Sequence, residues 1–200
     1  MLISTKSLIK HKLLNILTIL NFSMEEISIL EDKNKIHELI KLAILLVEYE
    51  NIFLDEKLKF FIQEQNISEI LEIIILTYEE EITAKKVKIS PLKSSHLINI
   101  DRYYFIEALN RVFLRILDID KISYIKFKFK KESNSLSLFH DGRKIEDFNK
   151  NPLVDYLERE DAQYTEIHFQ IALHILDSHG IKIFSRKGEI EIFFPSLMIN

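Results

Sequence analysis

Cysteine is absent from the 200-residue sequence, and glycine and proline occur only three times each. Without cysteine the chain cannot form disulfides or use thiolates as metal ligands or redox groups. A hydrophobic content of 47% and a charged content of 29% are typical of a globular protein that buries a core. The formal net charge of -4 implies no basic surface of the density that nucleic acid requires. We therefore expect no nucleic-acid partner.

Long hydrophobic runs are also missing. Lysines at positions 6, 10 and 12 surround the start of the apolar stretch LLNILTILNF, an order that signal peptides share. Asn15 and Thr18 interrupt this stretch, however, and no small-residue cleavage site follows it. No run approaches the roughly 18 apolar residues that a membrane span needs. We expect a cytoplasmic protein with no membrane partner.

The first part of the chain has the pattern of two helices. Apolar residues recur at steps of three or four from Leu8 to Leu30, and a second such pattern begins at Ile36 after the charged stretch at 31–35. The second helix carries two neighbouring apolar stripes, which is more than one partner helix can cover. We expect an antiparallel helical hairpin that forms half of a dimeric four-helix bundle. The alternative is that the rest of the same chain covers the second stripe.

The remainder of the chain alternates between helical and strand patterns. Helices are predicted at 66–86, 101–117 and 165–180, strands at 86–90, 122–131 and 135–142, and a hairpin at 181–195. Ser68 and Asp101 are candidate N-caps, and Gly180 is a candidate C-cap. Because the strands pair mostly as hairpins, this part is predicted to be an α+β sandwich. The alternating lysines at 126–131 indicate edge protection or a solvated face rather than nucleic-acid binding.

Two stretches carry a resemblance to a known family. HKLLNILTIL (11–20) is similar to the phosphoacceptor box of bacterial sensor histidine kinases, in which asparagine or threonine follows the histidine by four residues. IKIFSRKGEIEIFFP (181–195) is similar to the closing hairpin of their GHKL-type (Bergerat) ATP-binding domain, and the order of elements also resembles such a kinase core. The resemblance implies a DHp hairpin for dimerisation and histidine phosphotransfer at 1–57, and an ATPase-like α/β sandwich at 58–200.

The residues that hold magnesium and phosphate in this family are replaced. Asparagines of the family's N-box helix hold the ion, whereas Arg111 and Arg115 stand at the aligned positions. Asn110 lies one position away, and shifting the frame to it would break the apolar register. The family's glycine-rich box, whose backbone N–H groups approach phosphate, reads EIHF (166–169) here and contains no glycine.

The adenine-binding box has changed as well. In HDGRKI the family's aspartate is replaced by His140, Gly142 is retained, and Lys144 stands in place of the second glycine. We therefore expect a degenerate domain that binds no cofactor and supports no ATP-dependent autophosphorylation. Such a chain resembles the dimeric histidine phosphotransferases of phosphorelays. Those proteins pass phosphoryl groups between response-regulator aspartates and a histidine, so Mg²⁺ is expected only on the partner's receiver domain.

Helical spacing places His11 on the same face as Asn15, Thr18 and Phe22, and away from the apolar stripe. His11 is expected to point outward, as a phosphoacceptor or, in the plainer interpretation, as an ordinary surface histidine. The family has an acidic residue directly after this histidine, whereas this chain has Lys12, which agrees with an absent kinase reaction. The resemblance implies a catalytic role for His11 and Asn15. The residues expected to contact the response-regulator receiver domain are Lys12, Leu14, Thr18 and Phe22.

Other functions stay open at this point. A non-catalytic adaptor would bind a histidine kinase or a receiver domain through the same hairpin without carrying phosphate. An active kinase with divergent boxes is disfavoured by the scarcity of glycine. No metal site is expected, because His168 and His174 lie six residues apart and cannot share a helix face.

Overall fold

The computed structural model describes residues 13–18, 40–41, 43–44, 47, 60–119, 121–142 and 164–195. The chain divides into two compact units, one with Met1–Leu58 and Asn151–Ile167, the other with Lys59–Lys150 and His168–Asn200. In the first unit, residues 13–18 are helical, as are the described residues between 40 and 47. The predicted turn at 31–35 lies outside the described residues, and the predicted domain boundary at residue 57 stays a prediction.

A five-stranded sheet is the centre of the second unit. The strands of the described residues are β1 (Gln63–Asn66), β2 (Lys88–Ser90), β3 (Leu97–Ile100), β4 (Tyr124–Lys130), β5 (Ser135–His140), β6 (Lys182–Arg186) and β7 (Glu189–Phe193). The sheet has the order β2-β4-β5-β7-β6, in which β2 pairs with β4 in parallel and the other pairs are antiparallel. Because β4 lies inside the sheet, edge protection is wrong for its alternating lysines, and of the two predicted alternatives the solvated face remains.

The remaining two strands form a separate antiparallel sheet that the sequence patterns did not predict. β1 pairs with β3, with Gln63 opposite Ile100 and Asn66 opposite Leu97. β1 consists of the polar residues QEQN, so it has neither the alternation nor the β-branched side chains by which strands are recognised. Both strands have only four residues, which is too short for a periodic signal.

Four helices accompany the strands: α1 (Ile67–Thr77), α2 (Glu79–Ala84), α3 (Arg102–Leu117) and α4 (Tyr164–Ser178). The single helix predicted at 66–86 is interrupted at Tyr78, whose hydroxyl donates to the carbonyl of Asn110 on α3 at 3.2 Å. The N-cap of α1 is Asn66, whose side chain accepts from the backbone N–H of Ser68 at 3.1 Å. The prediction of Ser68 as the cap is therefore wrong by two residues.

The apolar core lies between one face of the five-stranded sheet and the helices. The inward side chains of β4, β5 and β7 are buried, since alternate residues of a strand point to the same face; they include Ile125, Phe127, Leu136, Leu138, Ile190 and Ile192. The ring of Phe113 on α3 stacks on that of Phe127 on β4, with centroids 6.1 Å apart. Fully buried residues of the three longer helices include Ile67, Ile70, Phe105, Leu109, Val112, Ile116, Ile171, Ala172 and Ile175.

The caps at the start of α3 and at the end of α4 lie where the sequence predicts them. Asp101 is the N-cap of α3, and its two carboxylate oxygens accept from the backbone N–H groups of Tyr104 at 3.1 Å and Phe61 at 2.7 Å. After α4, Gly180 has a φ of +73°, and the N–H groups of Gly180 and Ile181 donate to the carbonyls of Asp177 and Leu176. This is a Schellman motif, so both predicted caps are confirmed.

The predicted α+β architecture is thus confirmed for the described part of 58–200. No helix within the described ranges combines the length and the apolar character that crossing a bilayer demands.

Candidate functional site

The helix at 13–18 exposes the predicted site residues that the structure describes. Ile16 of the predicted apolar stripe is buried, whereas Asn15 and Thr18 are exposed. The hydroxyl of Thr18 donates to the carbonyl of Leu14, one turn earlier, at 2.8 Å. His11, Lys12 and Phe22 lie outside the described residues, and the proposed roles of the whole set stay predictions.

The same helical unit exposes large apolar side chains. Leu14 and Leu17 are each 55% exposed, and Ile44 is exposed to the same fraction. Ile40 and Val47 are exposed as well, so three apolar side chains follow the spacing of one helix face. A single copy of the chain therefore leaves apolar surface uncovered on both stretches of helix.

In the second unit, Arg111 joins α3 to α4. The side chain of Arg111 is almost fully buried, and its guanidinium contacts Glu107 one turn away on α3 and Nδ1 of His168 on α4. A guanidinium can only donate, so Nδ1 accepts and the imidazole is neutral. Burial, together with the neighbouring charge of Arg111, lowers the pKa of His168 to about 3.

This contact occupies the positions that align with the magnesium and phosphate boxes of histidine kinases. Arg111 stands at an N-box position, and His168 lies in the stretch that replaces the glycine-rich box. Mg²⁺ requires oxygen ligands, which a guanidinium cannot supply. The side chain of His168 also takes the space that a glycine leaves for the approach of phosphate to backbone. Magnesium and nucleotide phosphates do not fit these residues.

Positions 110 and 115, which the sequence analysis compared with the magnesium-binding box, have different surroundings. Arg115 pairs with Asp118 at 3.4 Å near the end of α3, and not with a residue of α4. The backbone carbonyl of Asn110 accepts from Tyr78, whereas its side-chain oxygen is buried and has no hydrogen-bond partner among the described residues. Across the described ranges, no three His, Asp or Glu side chains are grouped closely enough to hold a metal ion.

His140 takes the position of the adenine-binding aspartate. It ends β5 on the inner face of the sheet and is only 2% exposed. Neither ring nitrogen has a hydrogen-bond partner among the residues that the structure describes. Burial lowers the pKa of His140, against the opposing effect of the Asp141 charge, so the ring is neutral at pH 7. A carboxylate acceptor for an adenine amino group is thus absent at this position.

Asp141, the next residue, does not replace the missing aspartate. Its Oδ1 accepts from the backbone N–H groups of Ser123 at 2.8 Å and Tyr124 at 3.2 Å, and its Oδ2 accepts from the Ser123 hydroxyl. Partial burial alone would raise the pKa of Asp141, but these hydrogen bonds outweigh it and lower the pKa. The carboxylate therefore anchors the start of β4.

Gly142, the retained glycine of this box, has a packing role. A Cβ at this position would collide with the side chain of Ile119 at the end of α3. The close approach of Ile119 is therefore enough to require a glycine here, and no bound nucleotide is needed to explain it.

Comparisons with family models and with curated proteins returned no match, whereas solved structures of histidine kinases match well. Histidine kinase AdeS of Acinetobacter baumannii is 14% identical over 91% of this chain and 94% of its own, with a TM-score of 0.67. The catalytic domain of histidine kinase ThkA, in a nucleotide-free form, is 18% identical over 66% of this chain and 91% of its own (TM-score 0.52). The cytoplasmic segment of histidine kinase QseC is 8% identical over 78% of this chain and 94% of its own (TM-score 0.55).

At these identities the likeness shows the fold alone. The described residues are similar in fold to histidine kinase domains, and the resemblance is confirmed at that level. The predicted helical hairpin and its dimer stay predictions.

The neutral state of the buried histidines makes stability depend on pH. Because the folded-state pKa of His168 lies below its unfolded value of about 6.5, the unfolded chain binds more protons below that pH. The free energy of unfolding therefore has its full value above pH 6.5. It decreases as the pH falls toward 3, by up to about 1.4 kcal/mol per pH unit for this residue. Urea unfolding at a series of pH values measures the slope.

In His168→Gln, the free energy of unfolding should depend less steeply on pH between 6.5 and 3, because the group that titrates is removed. The free energy of unfolding at pH 7 should change much less. The matched control is His96→Gln, because burial and the nearby Lys131 lower the pKa of His96 at a much less buried site. An equal slope in the wild type and His168→Gln would contradict the buried, neutral state of this ring.

Proposed function

We propose that the chain is a dimeric phosphorelay histidine phosphotransferase that passes phosphoryl groups between response-regulator aspartates and His11, without ATP-dependent autophosphorylation. The observation that carries this proposal is the contact of Arg111 with His168, together with the buried ring of His140, at the three positions where the kinase family binds Mg²⁺ and ATP. A fold of the kinase type without a nucleotide site needs another source of phosphate. A phosphorylated receiver domain is that source.

The face that would receive the phosphoryl group is the one that carries Asn15 and Thr18. Both residues are exposed on the helix at 13–18, opposite the buried Ile16. In helical geometry, position 11 lies about 40° from position 15 and about 20° from position 18. His11 would share their exposure, and Lys12, Leu14 and Phe22 would surround it with one positive charge and apolar contacts for a docked receiver domain.

The chemistry is a reversible in-line transfer. A lone pair of the neutral imidazole of His11 attacks the phosphorus of the aspartyl phosphate, the phosphorus–oxygen bond to the aspartate breaks, and the aspartate leaves as a carboxylate. The phosphoimidazole that forms loses its extra N–H proton to water. With an ordinary pKa near 6.5, much of the histidine is neutral at cytoplasmic pH.

Positioning and charge neutralisation supply most of the catalysis in phosphoryl transfer. The amide of Asn15 would donate a hydrogen bond to a phosphoryl oxygen, and the Lys12 ammonium would balance its negative charge. Mg²⁺ would be held by the receiver domain, so this chain needs no cofactor of its own.

The uncovered apolar side chains of the helical unit support the dimer. Leu17, Ile40, Ile44 and Val47 are exposed in a single copy. Two helices from each of two copies bury such surfaces in a four-helix bundle, and two-fold dimers are the commonest oligomers. A dimer would also present two copies of the His11 face.

The transfer prediction is tested by mixing the full chain with a receiver domain that carries a labelled aspartyl phosphate. The chain should acquire acid-labile label, and His11→Ala should abolish it because the accepting nitrogen is lost. Asn15→Ala should slow the transfer about 100-fold, the usual effect of losing one donor to the developing charge.

His37→Ala is the matched control, since it removes the only other histidine of the first 57 residues, and it should acquire label as the wild type does. Binding of the receiver domain without label would contradict the proposal and favour an adaptor. Label from ATP alone would contradict it in favour of an active kinase.

The dimer prediction is tested with Ile44→Lys, which places a charge on the exposed apolar face. Light scattering after size exclusion should give twice the chain mass for the wild type, and the variant should shift toward one chain mass. The loss of apolar burial should raise the dissociation constant at least about 100-fold. Leu76→Lys, at a leucine that is 67% exposed on α1, is the control and should remain dimeric. A wild-type chain that elutes as a monomer at micromolar concentration would contradict the dimer.

A further inference from the structure

The outer face of the five-stranded sheet, on the side away from the helices, has an unusual composition. Strand register places alternate residues of five strands on this face. Its cations are Lys88, Lys126, Lys128, Lys130, Lys182 and Arg186, its carboxylates are Glu189 and Glu191, and its aromatic rings are Tyr124, Phe139, Phe184 and Phe193. The face has a net charge of +4, although the whole chain has a net charge of -4.

The two carboxylates of this face are already neutralised. Lys130 donates to Glu189 at 2.7 Å and to Glu191 at 2.9 Å, and the Ser135 hydroxyl donates to Glu191 at 2.8 Å. Arg186 lies 3.9 Å from the other oxygen of Glu191. These contacts keep the negative charge low in the middle of the face.

The four other lysines are available for an anion. Lys88, Lys126, Lys128 and Lys182 are exposed and form no ion pair with any residue that the structure describes. Lys126 and Lys128 lie about 7 Å apart along β4, and β6 runs about 14 Å away across the sheet. Because β4 has a neighbour on each side, edge protection does not account for its lysines.

The aromatic rings between these lysines are accessible. Tyr124 is 42% exposed and Phe184 is 47% exposed, and the ring of Phe184 contacts that of Phe193 edge to face at 5.3 Å. Phe139 neighbours Lys126 in the strand register, with the Lys130 ammonium 5.7 Å from the centre of its ring. Phe139 and Phe193 are half-buried, so the face combines two exposed rings with two partly exposed ones, and exposed rings cost free energy in water.

We propose that this face binds single-stranded nucleic acid. Phosphates would pair with the lysines of β4 and β6, and unstacked bases would stack on the exposed rings between them. Aromatic platforms bordered by positive charge are the general means of binding single strands without sequence preference. The rigid stacking of a duplex leaves no base face available to these rings. The net charge of -4 gives no sign of this surface, because the local charge of the face is +4.

The test uses the full chain and a fluorescein-labelled oligothymidine of about 12 nucleotides, long enough to cross the sheet. Fluorescence anisotropy at about 50 mM salt should give a dissociation constant between about 1 and 100 µM, and added salt should weaken binding. Lys126→Glu combined with Lys128→Glu should weaken binding at least about tenfold, and should reduce the slope against the logarithm of salt concentration by about 1.4.

Lys86→Glu combined with Lys93→Glu is the matched control. It changes the net charge equally, at exposed lysines that are not on the sheet, and it should bind like the wild type. Phe184→Ala should weaken binding at least about fivefold with little change in the salt slope, because it removes stacking and no charge. Thermal melts of each variant show that the fold is kept.

Several outcomes would overturn the proposal. The first is that the chain does not bind the oligothymidine at about 50 mM salt. The second is that both double variants lose affinity equally, and the third is that a duplex of the same length binds more tightly. A chain that does not bind oligothymidine could still sediment with phosphatidylcholine vesicles that contain about one third phosphatidylserine. That result would identify an anionic membrane as the partner instead. None of these measurements depends on His11.

Discussion

Arg111 and His168 link two helices at positions that, in histidine kinases, are occupied by magnesium ligands and by a glycine-rich phosphate box. The contact is possible only because His168 is neutral, since a protonated ring would face a guanidinium that has no acceptor to offer. Burial keeps the ring neutral, and Glu107 balances the arginine from the same helix. The same three side chains therefore link α3 to α4 at these positions, and the exclusion of Mg²⁺ and phosphate by them is part of the proposed function.

The residues that align with the adenine-binding box are also engaged in contacts within the second unit. His140 fills the inner face of the sheet where an aspartate would accept from adenine, and Asp141 is engaged with the loop before β4. Gly142 accommodates Ile119. His140, Asp141 and Gly142 thus have packing or hydrogen-bonding roles within the described part of the fold. In the proposed function, the chemistry then belongs to the helical unit, and the second unit contributes its surface.

Much of this could be predicted from the sequence, because local patterns carry it. Asp101 and Gly180 were recognisable as caps, and the hairpin at 181–195 was recognisable from its alternation and from Lys187-Gly188. The replaced boxes were visible as missing glycines and asparagines. The pair of Glu107 and Arg111 has the spacing of a helical ion pair, but its link to His168, 57 residues later, depends on how two helices pack.

Other features depend on tertiary pairing and left no local signal. The sheet of β1 and β3 joins two four-residue segments, one of them wholly polar. The break lies at Tyr78, whose hydroxyl donates to a carbonyl of another helix. The lysines of β4 were interpreted as edge protection or a solvated face, and the first alternative was wrong because the parallel pairing with β2 cannot be inferred from an alternating pattern.

Calorimetric titration of the full chain with Mg²⁺ and ATP tests the central claim most directly. If Arg111, His168 and His140 occupy the nucleotide positions, no saturable heat should be seen up to about 1 mM ATP, which corresponds to less than about 4 kcal/mol of binding free energy. Saturable binding with a dissociation constant of about 0.1 mM or lower, dependent on Mg²⁺, would show that the site still accepts nucleotide and would contradict the account.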